Sequence, residues 1–282
     1  MPRSLSCLEV IIMLADITLG QFYPAQSFVH RLDPRVKIVL LIAFIVAVFM
    51  AKNLIAFVPV ILYLFFAARF SRLPARLFIK SLKPLRFILI LTFLLNVFFL
   101  SGETVLLEVW VIRLTKEGLL NAVLYLLRLV TLVLGSSLLT LSTSPITLTD
   151  GLERLLSPLR VVHFPAHEMA MMMTIALRFI PTLLEEADKI IKAQTARGAD
   201  FESGNLFKRA KAMIPLLVPL FVSAFRRAGD LAMAMEARCY HGGEGRTRLR
   251  VLKCTKRDLI AALITAALIA ACVLISRFIH II

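Results

Sequence analysis

The sequence predicts an all-α membrane protein with about five transmembrane helices and long amphipathic cytoplasmic helices. Three observations carry this. Of 282 residues, 59% are hydrophobic, above the roughly 45 to 50% of soluble domains. Apolar runs occupy residues 36–51, 54–68, 87–100, 119–141 and 259–275. Between the last two runs, residues 145–256 repeat apolar side chains at helical spacing without a stretch long enough to cross.

Taken in order, residues 1–33 form an N-terminal cytoplasmic segment. The short apolar run at 10–14 lacks a small-residue cleavage site, so no signal peptide is expected, and Met13 is as sensible a start as Met1. Asp33 suits a helix N-cap and Pro34 the first helical position, where a missing N–H costs nothing. Residues 34–141 hold four spans. The first two form a tight hairpin across Lys52-Asn53, and a span needs about 17 to 25 residues, so the second and third runs draw on their flanks. Arg69, Arg72, Arg76, Lys80 and Lys83 follow helical spacing opposite Leu73, Leu77 and Leu82, as in a segment lying at the headgroup boundary.

That connection, closed by Arg86, contains no acid, whereas residues 101–117 set Arg113 and Lys116 against Glu103, Glu108 and Glu117. Positive charge gathers on the cytoplasmic side. The N-terminus and residues 142–257 are therefore expected inside, and the C-terminus beyond the last span, 258–282, outside. Most of the net charge of +15 is explained this way, and a nucleic-acid binder would leave the spans unexplained.

Arg128 lies mid-span, where an ionisable side chain points into the bundle or snorkels. A structural role is the better expectation. No Asp or Glu interrupts the apolar runs, which disfavours an ion-coupled carrier. In the cytoplasmic region, one long helix from about residue 168 is expected to break or bend at Pro181. A second runs from about 216 to 238, with Ala224, Ala228 and Ala232 at the four-residue spacing that lets two helices cross closely. Thr255 and Asp258 suit the cap of the last span.

A short motif appears twice, Ala196-Arg197-Gly198 and Ala237-Arg238-Cys239, each ending an amphipathic stretch. A cation in the last turn and a glycine stop would account for one copy. Two copies 41 residues apart point to two similar partners, with Arg offering a fork of donors and Ala the room to enter a groove. Cys239 stands where the first copy has Gly198, and the second helix end is expected to depend on Gly242-Gly243.

Enzymatic chemistry is not indicated. Cys7, Cys239, Cys254 and Cys272 are scattered, without the spacing of a zinc site. His163 and His167 are separated by Pro165, so no metal site is expected, and His30 and His241 suit turns. There is no P-loop, nucleophile elbow or zinc-protease motif, and no catalytic residue or cofactor is assigned. A stand-alone permease or channel is the alternative reading, but Arg128, Asn96 and scattered hydroxyls give it a thin polar path.

With Asp16-Ile17-Thr18-Leu19-Gly20-Gln21-Phe22-Tyr23-Pro24, then Ser27 and His30-Arg31-Leu32-Asp33-Pro34-Arg35, and both arginine motifs, the chain resembles the transmembrane T component of energy-coupling factor (ECF) transporters. These are the modular vitamin and metal importers of prokaryotes. The resemblance spans nearly the whole chain and implies a multi-pass cell-membrane protein with cytoplasmic coupling helices. It implies that two ABC-type ATPase subunits receive the tips through Arg197 and Arg238, shaped by Ala196, Gly198, Ala237 and Cys239. A separate substrate-binding integral membrane subunit would pack on the coupling helices, where Met169, Met172 and Met173, with Ala224, Ala228 and Ala232, are its expected contacts. ATP hydrolysis is expected in the partners, not in this chain.

Overall fold

A computed structural model describes residues 22–51, 53–99, 105–109, 112–162, 164–199, 201, 207, 211–242 and 254–279. The opening motif through Gln21, Cys7, Met13, Lys52, His163 and the Gly243–Arg250 stretch lie outside the described residues. The chain divides into two compact units, Phe22–Gly151 with Val251–Ile282, and Met1–Gln21 with Leu152–Arg250.

In the first unit every expected apolar run is helical. Helix α1 spans Pro34–Met50, a 3-10 turn at Ile55–Phe57 leads into α2, Val58–Ser71, and α3, Ala75–Leu82, passes through Lys83–Leu85 into α4, Arg86–Phe99. Strands β1, Val105–Val109, and β2, Ile112–Thr115, pair antiparallel with Val109 opposite Ile112. Helix α5, Lys116–Ser142, follows, then α6, Pro145–Leu156, and after the second unit α9, Lys256–Ile279.

The segments Ala75–Phe98, Gly118–Ser142 and Lys256–Arg277 are long and apolar enough to cross a membrane. Helix α1 has 17 residues, about 25 Å, which is short of a hydrocarbon core of about 30 Å. The third run gains its length backwards, through the cationic connection. That connection is not the single helical stripe expected. Arg69 lies in the last turn of α2, Arg72 takes a left-handed conformation at φ 54°, and only Arg76 and Lys80 share α3. The β hairpin departs from the all-helical expectation for this chain. Two short apolar runs separated by two residues carry the signal for it.

The caps form as the sequence indicates. The Asp33 carboxylate accepts from the Arg35 N–H at 3.0 Å, with Pro34 in the first turn. Asp258 accepts from the Thr255 N–H at 2.6 Å and its hydroxyl at 2.8 Å, a capping box at the start of α9. His30 closes the preceding turn, its Nε2 3.0 Å from the Tyr23 carbonyl and its Nδ1 2.6 Å from Ser27 Oγ. A carbonyl only accepts, so Nε2 carries the proton and Ser27 donates to Nδ1. Burial holds His30 below the usual imidazole pKa, against the raising effect of the Tyr23 bond.

Long-range contacts in this unit recur every seven residues, which is two helical turns. On α1, Lys37 donates to the Ser142 carbonyl at 3.0 Å and to Thr143 Oγ1 at 3.1 Å. Phe44 lies against Gly135 of α5 so closely that a Cβ there would fall 2.5 Å from its ring. The Ala51 carbonyl accepts from Arg128 Nη2 at 2.9 Å. Lys37, Phe44 and Ala51 thus meet Ser142, Gly135 and Arg128 as successive levels of one antiparallel seam.

A second seam runs along α9 at the same interval. Asp258 accepts from the Asp33 N–H at 2.9 Å, Thr265 pairs with the Tyr63 hydroxyl at 2.9 Å, and Cys272 Sγ donates to the Ala56 carbonyl at 3.8 Å. Phe44 and Tyr63 stack at 5.6 Å between centroids, joining the seams at mid-height. The core is therefore three layers, polar where the chain enters α1, aromatic in the middle, and polar again at the α1–α2 turn. Successive layers lie about 10 Å apart along the helices.

Arg128 has the structural role expected of it. Its guanidinium satisfies a carbonyl at the end of α1, where the last carbonyls lack helical partners and carry partial negative charge. It also lies 5.6 Å from the Phe49 ring centroid and 5.5 Å from that of Tyr125. Those faces receive the remaining positive charge at a cost below that of bare hydrocarbon.

Candidate functional site

The second unit is dominated by two helices. Helix α7 spans Ala166–Ala196 and α8 spans Ile214–Ala237. Neither is among the helices apolar enough to cross a membrane, because acids and bases punctuate both. Helix α7 is continuous through Pro181 rather than broken there, so one lost backbone bond within 31 residues is tolerated. Near its start His167 Nδ1 lies 2.9 Å from Glu153 Oε1, which gives this imidazole a carboxylate partner. Among the described residues no cluster of metal-ligating side chains occurs.

The two helix ends have the same backbone construction. At the first, the N–H groups of Arg197, Gly198 and Ala199 donate to Gln194, Thr195 and again Gln194 at 3.0, 2.9 and 3.0 Å. At the second, those of Arg238, Cys239 and Tyr240 donate to Met235, Glu236 and again Met235 at 3.1, 2.8 and 3.0 Å. Each is a Schellman-type stop, in which a left-handed residue folds the chain back over the last carbonyls. Gly198 supplies it at φ 85° and Cys239 at φ 55°.

The second helix therefore stops on Cys239 itself. The expected reliance on Gly242-Gly243 is corrected: Gly242, also left-handed at φ 99°, comes after the stop is complete. A side chain in this conformation costs about 1 kcal/mol more than glycine, so Cys239 is held there by the three backbone bonds around it. Ala196, Arg197, Gly198, Ala237, Arg238 and Cys239 are all exposed. Each guanidinium thus stands at the negative end of its helix, on a rigid turn and open to a partner.

Helices α7 and α8, the two arms, are packed against each other, and Glu186 bonds across the contact. One of its carboxylate oxygens accepts from Ser223 Oγ and the other from Arg227 Nη2 at 2.9 Å. Ser223 and Arg227 are one turn apart on α8, so a single carboxylate grips one face of it. The Ser223 hydrogen bond first, and then Arg227, hold Glu186 below the usual carboxylate pKa. The expected crossing on alanines is thereby corrected. Ala224 is half-buried, but Ala228 and Ala232 are exposed, and the clamp lies on the neighbouring Ser223–Arg227 face.

Met169, Met172 and Met173 are exposed on α7. Sequence reading missed a larger apolar surface on α8, where Ile214, Val218, Phe221 and Phe225 lie 52%, 56%, 60% and 75% exposed. Their spacing of three and four residues marks one helical stripe. Aromatic side chains this open on a helix punctuated by charge are what a partner surface offers. The signal in the sequence is the spacing of four, three and four between these residues, interleaved with the small residues of the same helix.

The membrane-type unit also holds an apolar cavity of about 490 Å³, bordered by Phe44, Tyr63, Gly135 and Leu268, with Lys37 and Ser142 in its wall. The Tyr63 hydroxyl and the Lys37 ammonium are already engaged with Thr265, Ser142 and Thr143. That leaves a polar cargo little to bind.

Comparison with known proteins yields one family. Residues 25–249 match the family profile CbiQ, described as cobalt transport protein. The chain is 52% identical over 266 residues to the energy-coupling factor transporter transmembrane protein EcfT of Thermosediminibacter oceani, covering 94% of this chain and 100% of that protein. It is 54% identical over 257 residues to the protein of the same name from Acidaminococcus fermentans, covering 91% and 95%. For the Bacillus subtilis protein of that name the identity is 45% over 260 residues, covering 91% and 98%.

Proposed function

The chain belongs to the CbiQ family of energy-coupling factor transmembrane proteins, and from that premise we propose that it couples ATP-driven motion of two ABC-type ATPase subunits to a separate substrate-binding membrane subunit. The observation that carries this reading is the pair of matching helix stops, each presenting an exposed arginine on a rigid turn. Two copies of one shape fit two copies of one groove. In a groove that excludes water, an arginine fork meets a carboxylate or carbonyl cluster far more strongly than it would in solvent.

The mechanism is mechanical. ATP binding draws the ATPases together, the grooves carry Arg197 and Arg238 with them, and the arms change angle. The exposed surface formed by Met169, Met172 and Met173 on α7, with Phe221 and Phe225 beside Ala224, Ala228 and Ala232 on α8, is where the substrate subunit would feel that change. Methionine and phenylalanine suit a surface that must repack as it moves. The N-terminus and both arms would lie on the cytoplasmic side, as the cationic connection at 69–86 favours. Hydrolysis takes place in the partners.

Arg197→Ala or Arg238→Ala should each weaken the complex by about 2 to 5 kcal/mol if each arginine pairs with a buried charge, and the double variant should lose the ATPases on co-purification. Undiminished co-purification of the double variant would sink this reading. The alternative, a permease acting alone, is separated by reconstituting the chain with and without ATPases, because only a permease would transport unaided. The engaged polar groups around the bundle cavity speak against that outcome.

A further inference from the structure

The apolar cavity of the bundle has a direction and a depth. On α9 it is walled by one helical stripe, Ala261, Ile264, Leu268 and Ala271, and on α2 it reaches from Pro59 to Phe70. Ten residues of α9 rise about 15 Å, half of a hydrocarbon core of about 30 Å and so one leaflet deep. Its charged wall residue, Lys37, lies at the end where α1 and α9 begin. That ammonium has three N–H groups, and they go to the His30 carbonyl at 3.3 Å, the Ser142 carbonyl at 3.0 Å and Thr143 Oγ1 at 3.1 Å. Lys37 closes the cavity rather than holding a ligand.

Other cations gather at the same end. Arg257 continues the α9 stripe one turn before Ala261, with Lys256 beside it. Arg31 precedes the wall residue Leu32, and Arg69 and Arg72 stand on either side of the wall residue Phe70. All five cations are exposed, whereas Asp33 and Asp258 at this end are buried. Phe66, Phe70 and Ile264 line the cavity and are still 53%, 62% and 54% exposed, so the cavity is open beside them.

We infer that the cavity holds one acyl chain of an anionic phospholipid from the cytoplasmic leaflet, its phosphate paired with Arg257 and the arginines near it. A wall without free polar groups takes hydrocarbon, and an empty one would forfeit the dispersion contacts of Phe44, Tyr63 and Leu268. A partner helix 15 Å long and about 10 Å across would fill roughly 1,200 Å³, more than twice the 490 Å³ present. An outward set of cations above an apolar slot one leaflet deep matches a negative headgroup above its own chain. Such a lipid would bind whether or not the arginine tips engage ATPases.

The test reconstitutes the full chain, alone and with its co-purified partner subunits, in phosphatidylcholine vesicles containing phosphatidylglycerol with a diazirine on one acyl chain. Photolabelled residues are mapped by mass spectrometry. Leu64 and Leu268 in the wall should be labelled as well as the outward-facing Phe65 and Leu263, and a phosphatidylcholine probe should label the wall several-fold less. Arg257→Gln should lower wall labelling about fivefold, the equivalent of about 1 kcal/mol for one cation at the membrane surface, while Arg257→Lys keeps most of it. Ala67→Phe, which fills the slot, should abolish wall labelling and leave Phe65 and Leu263 labelled. Arg257→Gln lies on the surface, so it decides the matter even if Ala67→Phe fails to fold. Labelling confined to the outward faces overturns the proposal, as does equal wall labelling by the two probes. Wall labelling that the chain shows alone but loses in the assembled complex gives the cavity to a protein partner and overturns it too.

Discussion

The bundle and the arms tie their helices with different arrays of side-chain bonds. In the bundle, α1 meets α5 at Lys37, Phe44 and Ala51, and α9 meets its neighbours at Asp258, Thr265 and Cys272. Each seam is therefore tied at three levels, seven residues apart. In the arms, a clamp at Glu186 joins α7 to α8, and around it Phe221 and Phe225 stay open. The difference lies in how the polar ties are spaced and not in the extent of packing, since α7 lies against α8 as fully as α1 lies against α5. Exposed apolar side chains also differ in meaning between them. On the bundle they suit lipid, where packing and satisfied polar groups rather than hydrophobic burial hold helices together; on the arms they form the kind of open surface that a partner would cover.

The contrast can be broken most forcefully at the polar layer where the chain enters α1. Asp258→Ala removes the acceptor for the N–H groups of Asp33 and Thr255 and for the Thr255 hydroxyl. It should cost about 3 kcal/mol, near the upper end for stranding buried donors, and lower the unfolding temperature of the isolated chain in detergent. A smaller loss, about 2 kcal/mol in the same measurement, is expected of Arg128→Met, which strands the Ala51 carbonyl but keeps an apolar side chain against Phe49 and Tyr125. The smallest effect has the opposite sign. Cys239→Gly relieves a left-handed side chain and should firm the end of α8 by about 1 kcal/mol, seen as slower amide exchange at the Cys239 and Tyr240 N–H groups. It should leave the bundle's unfolding temperature unchanged. A shift there would mean that the end of α8 also bears on the bundle's stability.

Much of this was legible in the sequence for local reasons. Apolar runs give helices because a backbone in hydrocarbon must satisfy its own hydrogen bonds. The caps at Asp33 and Thr255 are short-range chemistry, and the tips repeat within one chain. The clamp left a trace, the Glu-Glu and Arg-Arg pairs at matching places in the repeat, which becomes readable only once the repeats are aligned beyond their last three residues. The β hairpin is harder to read, because strands of five and four residues are too short for periodicity to tell strand from helix.

By itself, then, the sequence determined the helices, their caps, the paired arginine tips and the family, because each depends on residues close in the chain or on a pattern within it. Tertiary structure alone decided that Lys37 reaches Ser142, that Phe44 needs Gly135, that Arg128 closes α1 and that Glu186 takes Ser223 and Arg227 together. Those partners lie between 37 and 105 residues apart, and their meeting depends on how whole helices lie side by side. Even Cys239 required the folded chain, since only three converging backbone bonds make a cysteine do what glycine does at the other tip.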